Sequence, residues 1–129
     1  AEFILSPNAD VDVIRLTRQL GMVSVPGAMT PSEIVAAWNA GADIVKLFPA
    51  DDLGYHYIWN LRGPLPHIPL LASGGVNPET IPQFLAQGVS AVGTGVSIVD
   101  RKLLAAGDYD GIEALARAHV DAINSFQAR

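Results

Sequence analysis

The chain contains no cysteine. Disulfides, a thiolate nucleophile and cysteine-ligated zinc are therefore excluded, in keeping with a cytoplasmic home. No apolar run reaches the roughly 18 residues that a membrane-crossing helix requires, and no basic-then-apolar signal segment opens the sequence. A soluble protein without a membrane partner is expected. Basic residues are scarce as well: eight Lys and Arg stand against 13 Asp and Glu, for a formal charge of −5. Without a Lys/Arg cluster, binding to a phosphate backbone would lack its main energetic contribution, so nucleic acid is not an expected partner. The three histidines, His56, His67 and His119, lack metal-ligand spacing, and His119 reads as a surface residue of the terminal helix.

What is present fits one α/β domain over residues 1–129, half of them hydrophobic and enough to bury a core. Short apolar runs occur at Phe3–Leu5, Met22–Val25, Ile44–Phe48, Ile68–Ala72 and Ala91–Val92, each followed by turn residues and then a helix-like segment. Five βα units and a parallel sheet follow. Thr30-Pro31-Ser32-Glu33 has the form of a capping box. Pro82 moves the start of the helix after Asn77 to about Thr80, and Gly21, Gly41 and Gly88 stand where helices should stop. Ile112, Leu115, Ala116, Val120 and Ile123 have the spacing of a packed terminal helix.

Lys46, one of two lysines, interrupts the apolar run Ile44–Phe48. A buried ammonium is costly unless it is paired or loses its proton. Burial that lowers its pKa frees the lone pair and makes a Schiff-base nucleophile. A salt bridge to Asp43, Asp51 or Asp52 is the alternative. The remaining polar and glycine-rich segments also follow the apolar runs: Ser6-Pro7-Asn8, Pro26-Gly27-Ala28-Met29-Thr30, Ser73-Gly74-Gly75 and Gly93-Thr94-Gly95-Val96-Ser97. Ligands of parallel α/β folds bind at that carboxyl end of the strands. The two glycine turns can let backbone N–H groups hold an anion, or simply permit tight turns. Tyr55, Tyr57 and Trp59 read as packing or oligomer-contact residues.

The ordered runs Phe3-Ile4-Leu5-Ser6-Pro7, Val25-Pro26-Gly27-Ala28-Met29-Thr30-Pro31-Ser32-Glu33, Val45-Lys46-Leu47-Phe48-Pro49-Ala50-Asp51 and Ser73-Gly74-Gly75-Val76-Asn77, with Ala106-Gly107-Asp108-Tyr109-Asp110 further on, resemble the 2-keto-3-deoxy-6-phosphogluconate (KDPG) and 4-hydroxy-2-oxoglutarate (KHG) aldolase family over nearly the whole chain. The resemblance implies a TIM (β/α)₈ barrel, a homotrimer, and a class I aldolase needing no cofactor or metal. Its substrate would be a 2-keto-3-deoxy-6-phospho sugar acid, cleaved to pyruvate and glyceraldehyde 3-phosphate. Lys46 matches the Schiff-base lysine. By the same resemblance Phe48 packs beside the imine, Pro7 and Pro26 shape the pocket, and Ser73, Gly74, Gly75, Gly93 and Gly95 bind the phosphate end.

Two departures stand out. The first motif corresponds to about the fourth barrel strand, so the family's acid/base glutamate, its carboxylate-binding arginine and a threonine-bearing glycine motif have no counterpart. The chain therefore reads as the last five βα units of such a barrel, with a five-stranded doubly wound parallel sheet as the structural alternative. A non-catalytic phosphate-ligand binding domain or an inactive barrel fragment is the functional one. In addition, Val96 occupies the place where relatives often carry a phosphate-binding serine, and Ser97 should face elsewhere.

Overall fold

The computed structural model describes residues 1–127. Strand β1 (Phe3–Leu5) leads through helix α1 (Val11–Gln19) to β2 (Val23–Val25), whose chain breaks at Pro26 and resumes as β3 (Gly27–Ala28). Helix α2 (Pro31–Ala40), strand β4 (Val45–Leu47), helices α3 (Ala50–Leu53) and α4 (Tyr55–Arg62), and strand β5 (Leu70–Ser73) follow. Helix α5 (Ile81–Ala86), strand β6 (Ala91–Gly93) and helices α6 (Arg101–Ala106) and α7 (Tyr109–Gln127) complete the order. All five expected strand segments are present. The two-residue β3 was not foreseen, because it depends on a long-range partner rather than on its own sequence.

Every strand pair is parallel, β1 with β2 and then β3-β4-β5-β6 in line. Proline lacks the N–H that a ladder needs, so Pro26 divides one extended segment between two neighbours. Its carbonyl still accepts from Lys46 N at 2.8 Å. Spatial order follows chain order throughout. A doubly wound sheet needs a reversal of strand order at a switch point, and among the described strands there is none, so the doubly wound alternative is set aside.

The helix boundaries have local causes. Thr30 Oγ1 accepts from Glu33 N, and Glu33 Oε2 accepts from Thr30 N at 2.8 Å and Met29 N at 2.9 Å, completing the capping box. Those bonds hold the Glu33 carboxyl below the usual carboxylate range, with the Met29 N–H the largest cause. Thr30 thus caps α2, and Thr80 precedes the first residue of α5. Gly41 ends α2 in the left-handed region, at φ 110°.

Alternation along the strands divides two faces. Val45 and Leu47 join Leu70 and Ala72 in the apolar core under the helices, with Ile34, Ile58, Ile68, Ile81 and Phe84. Burying each such Ile, Leu or Phe contributes roughly 1.5–3 kcal/mol. Lys46 and its register partner Leu71 are also buried but lie outside that cluster, on the opposite face of the sheet. Helix α7 packs against α5 and α6. Two expectations for it fail: Val120 is 53% exposed, and His119 is 3% exposed, the buried residue of the helix. Among the described residues no helix is long and apolar enough to cross a membrane.

Candidate active site

Lys46 is 6% exposed at the centre of β4. Three acidic residues were near enough in sequence to neutralise it. Asp43 is instead committed elsewhere, its Oδ1 accepting from Arg18 Nη1 at 2.6 Å and its Oδ2 from Ser24 N at 2.8 Å. Neither Asp51 nor Asp52 forms a salt bridge among the described residues. The amine has the Phe48 ring for a neighbour, with Nζ 4.2 Å from the ring centroid. Residues i and i+2 of an extended segment share a face, so the sequence Lys46-Leu47-Phe48 itself produces this contact. Burial lowers the Lys46 pKa from the ordinary lysine value. A cation over an aromatic face gains about 0.5–2 kcal/mol, which opposes part of that shift and applies equally to an iminium at the same atom.

Beyond Phe48 opens a cavity of about 430 Å³, lined by Phe48 and by the two glycine turns, residues 73–77 and 93–97. Of the residues singled out from sequence, Phe48, Ser73, Gly74, Gly75, Gly93 and Gly95 line this one cavity. Lys46 adjoins it through Phe48. Pro26 and Pro7 do not line it. They follow β2 and β1 on the other flank of β4, where Gly27 backs so closely on Pro7 that a Cβ at Gly27 would lie 2.2 Å from Pro7 O.

The β5 turn depends on glycine. Gly74 and Gly75 have φ of 104° and 66°, and a Cβ at Gly75 would meet Asp51 Cβ at 2.6 Å. Among the described residues, the backbone N–H groups of Gly74, Gly75, Gly95 and Val96 have no protein acceptor. They are donors at the cavity wall, the groups an anion site requires. Asp51 packs against the β5 turn; its proximity depends on two glycines more than 20 positions away and has no local signal.

The β6 turn carries polar residues whose role sequence does not reveal. Thr94 Oγ1 and Ser97 Oγ hydrogen-bond to one another, and each lies within hydrogen-bond reach of Val76 O, at 3.2 and 2.7 Å, so that one of the two hydroxyls donates to it. Val96, 85% exposed, and Ser97 both line the cavity. Tyr57 donates its hydroxyl to Met29 O at 2.7 Å, and Tyr55 packs edge-on against Phe84. Among the described residues no group of three or more His, Asp or Glu is placed to hold a metal ion.

A profile of the KDPG and KHG aldolases matches residues 1–115. The chain belongs to the KDPG and KHG aldolase family. A 2-dehydro-3-deoxy-6-phosphogalactonate aldolase of Escherichia coli (strain K12) is 38% identical over 95 residues, covering 73% of this chain and 46% of the relative. A native KDPGal structure superposes with a TM-score of 0.90 at 30% identity, covering 100% of this chain and 61% of the other. The KDPG aldolase of Legionella pneumophila, solved with pyruvate captured at low pH as a covalent carbinolamine, gives a TM-score of 0.81 at 24% identity over 89% of this chain and 56% of the other. The aldolase-family chain thus spans about half the length of the curated relatives it matches, and its α/β fold matches part of their TIM barrel.

Proposed function

We propose that this chain carries the Schiff-base part of a class I aldolase that cleaves a 2-keto-3-deoxy-6-phospho sugar acid to pyruvate and glyceraldehyde 3-phosphate. One observation carries the reading. Lys46 is a buried amine with no carboxylate partner among the described residues, its pKa lowered by burial, at the edge of a cavity walled by unused backbone donors.

The neutral Lys46 amine attacks the C2 ketone to give a carbinolamine, which loses water to form an iminium. As the C3–C4 bond breaks, a base takes the C4 hydroxyl proton and the bonding pair flows toward nitrogen, leaving an enamine and releasing the aldehyde. Protonation of the enamine at C3 and hydrolysis of the imine then free pyruvate and restore Lys46. The Phe48 ring favours the cationic stages. Ser73, Gly74, Gly75, Gly93 and Gly95 hold the phosphate end, and Pro26 and Pro7 border the other side of Lys46. Proton transfer is assigned to a glutamate outside these residues, as the family resemblance implies, and the working assembly to a homotrimeric barrel in the cytoplasm.

The carbinolamine in the Legionella aldolase supports amine chemistry on pyruvate in this fold. A non-catalytic phosphate-binding domain would account for the glycine turns but leaves the unpaired buried amine without a task. Incubation with pyruvate and borohydride separates the two readings. A reduced adduct on Lys46 supports the aldolase, and an unmodified Lys46 overturns it.

A further inference from the structure

Helix α7 contributes a buried histidine to the β6 turn. His119 Nδ1 lies 2.7 Å from Leu115 O, and Nε2 lies 2.9 Å from Ser97 Oγ. A carbonyl oxygen only accepts, so Nδ1 carries a hydrogen and Nε2 is the atom turned to Ser97. In the neutral ring Nε2 accepts from the Ser97 hydroxyl, and Thr94 supplies the hydrogen for Val76 O. In the protonated ring Nε2–H donates to Ser97, whose own hydrogen goes to Val76 O. The protonated ring lets Thr94 donate to Ser97 as well, whereas the neutral ring leaves the Thr94–Ser97 approach without a hydrogen; both states link α7 to the β6 turn and, through Val76 O, to the β5 turn.

Those two turns are the walls of the cavity, and Val76, Thr94 and Ser97 are among the residues that line it. Val96, 85% exposed, makes no side-chain hydrogen bond of its own and cannot fix the β6 wall. Ser97 can, because its oxygen meets partners on three sides: Thr94, Val76 and His119. We infer that His119 is the positioning residue of this anion cradle: through Ser97 it sets the separation of the Gly74-Gly75 and Gly95-Val96 donors, and hence the affinity for a phosphate group. The inference rests on reading the glycine turns as the phosphate end.

The test is binding of inorganic phosphate, followed by the amide resonances of Gly74, Gly75 and Gly95 in the whole chain, with thermal unfolding of each variant alongside. Gln places a side-chain amide near the Nε2 position, whereas Asn reaches only the Nδ1 position and its Leu115 contact. The expected pattern is an affinity loss of about fivefold to tenfold in His119→Asn and in Ser97→Ala. The double variant should be no weaker than either single one, because the two residues act through one bond, and His119→Gln should stay within about twofold of the parent.

Equal affinity in His119→Asn and the parent would overturn the proposal. So would equal losses in His119→Asn and His119→Gln that follow thermal stability, since that is the mark of a merely structural residue. Absence of any phosphate-dependent shift at the three glycine amides of the parent overturns it as well, by removing the cradle. Pyruvate trapping at Lys46 does not involve phosphate, so its outcome is read separately and judges the aldolase proposal alone.

Discussion

Lys46 and Phe48 lie two residues apart on one face of the β4 segment, with the amine 4.2 Å from the ring centroid. This pair joins burial, which disfavours the ammonium, to an aromatic face, which favours any cation at the same nitrogen. The balance suits an amine that must be neutral to attack and cationic once the imine has formed.

The first prediction concerns the cost of that amine. Lys46→Met keeps an unbranched side chain of similar length and removes a buried polar head. Stability should rise by about 1 kcal/mol or more, as is common when a functional strained site is filled with an apolar group. Denaturant unfolding checks this, and pyruvate adduct formation should be abolished in the same protein.

The second is a pH dependence. Burial lowers the Lys46 pKa below 10.5. Pyruvate imine formation should therefore climb with pH and reach half its plateau below 10.5, measured by borohydride trapping at a series of pH values. Stability carries the matching sign. Between the lowered value and 10.5 the unfolded chain binds more protons than the folded one, so stability should rise with pH across that window, and the rise should vanish in Lys46→Met.

Phe48→Leu is the third. It keeps apolar bulk but removes the aromatic face, a loss of about 0.5–1 kcal/mol for a cation at Nζ. The equilibrium yield of pyruvate imine should fall about twofold to fivefold, and the Lys46 pKa should move further down. An NMR titration of the lysine side chain reads the second effect.

Much of this was legible because its causes are local. The capping box over Thr30–Glu33, the helix stops and the single polar residue inside the apolar run Ile44–Phe48 all declare themselves within a few positions. The features that escaped depend on distant partners. Strand β3 exists because Gly27 and Ala28 meet Lys46 and Leu47. His119 reads as a surface residue in the sequence because helical spacing classes histidine as polar. Its burial follows from Ser97, 22 positions earlier, and it displaces Val120 from the packed face.

A fourth prediction tests the packing that places Pro7 beside the site. A Cβ at Gly27 would lie 2.2 Å from Pro7 O and 2.8 Å from Ser6 O, both of them backbone atoms that cannot swing aside. Gly27→Ala should destabilise the fold by about 1–3 kcal/mol. Thr30→Ala, which removes only the cap three residues on, should cost about 1 kcal/mol, and chemical denaturation compares the two.

The most direct test of the central claim is an intact-mass and peptide-mapping measurement after treatment with pyruvate and borohydride. The account predicts one reduced pyruvate on the peptide containing Lys46, and none in Lys46→Met. An unmodified chain, or a label carried instead by Lys102 or by the amino terminus, would contradict it.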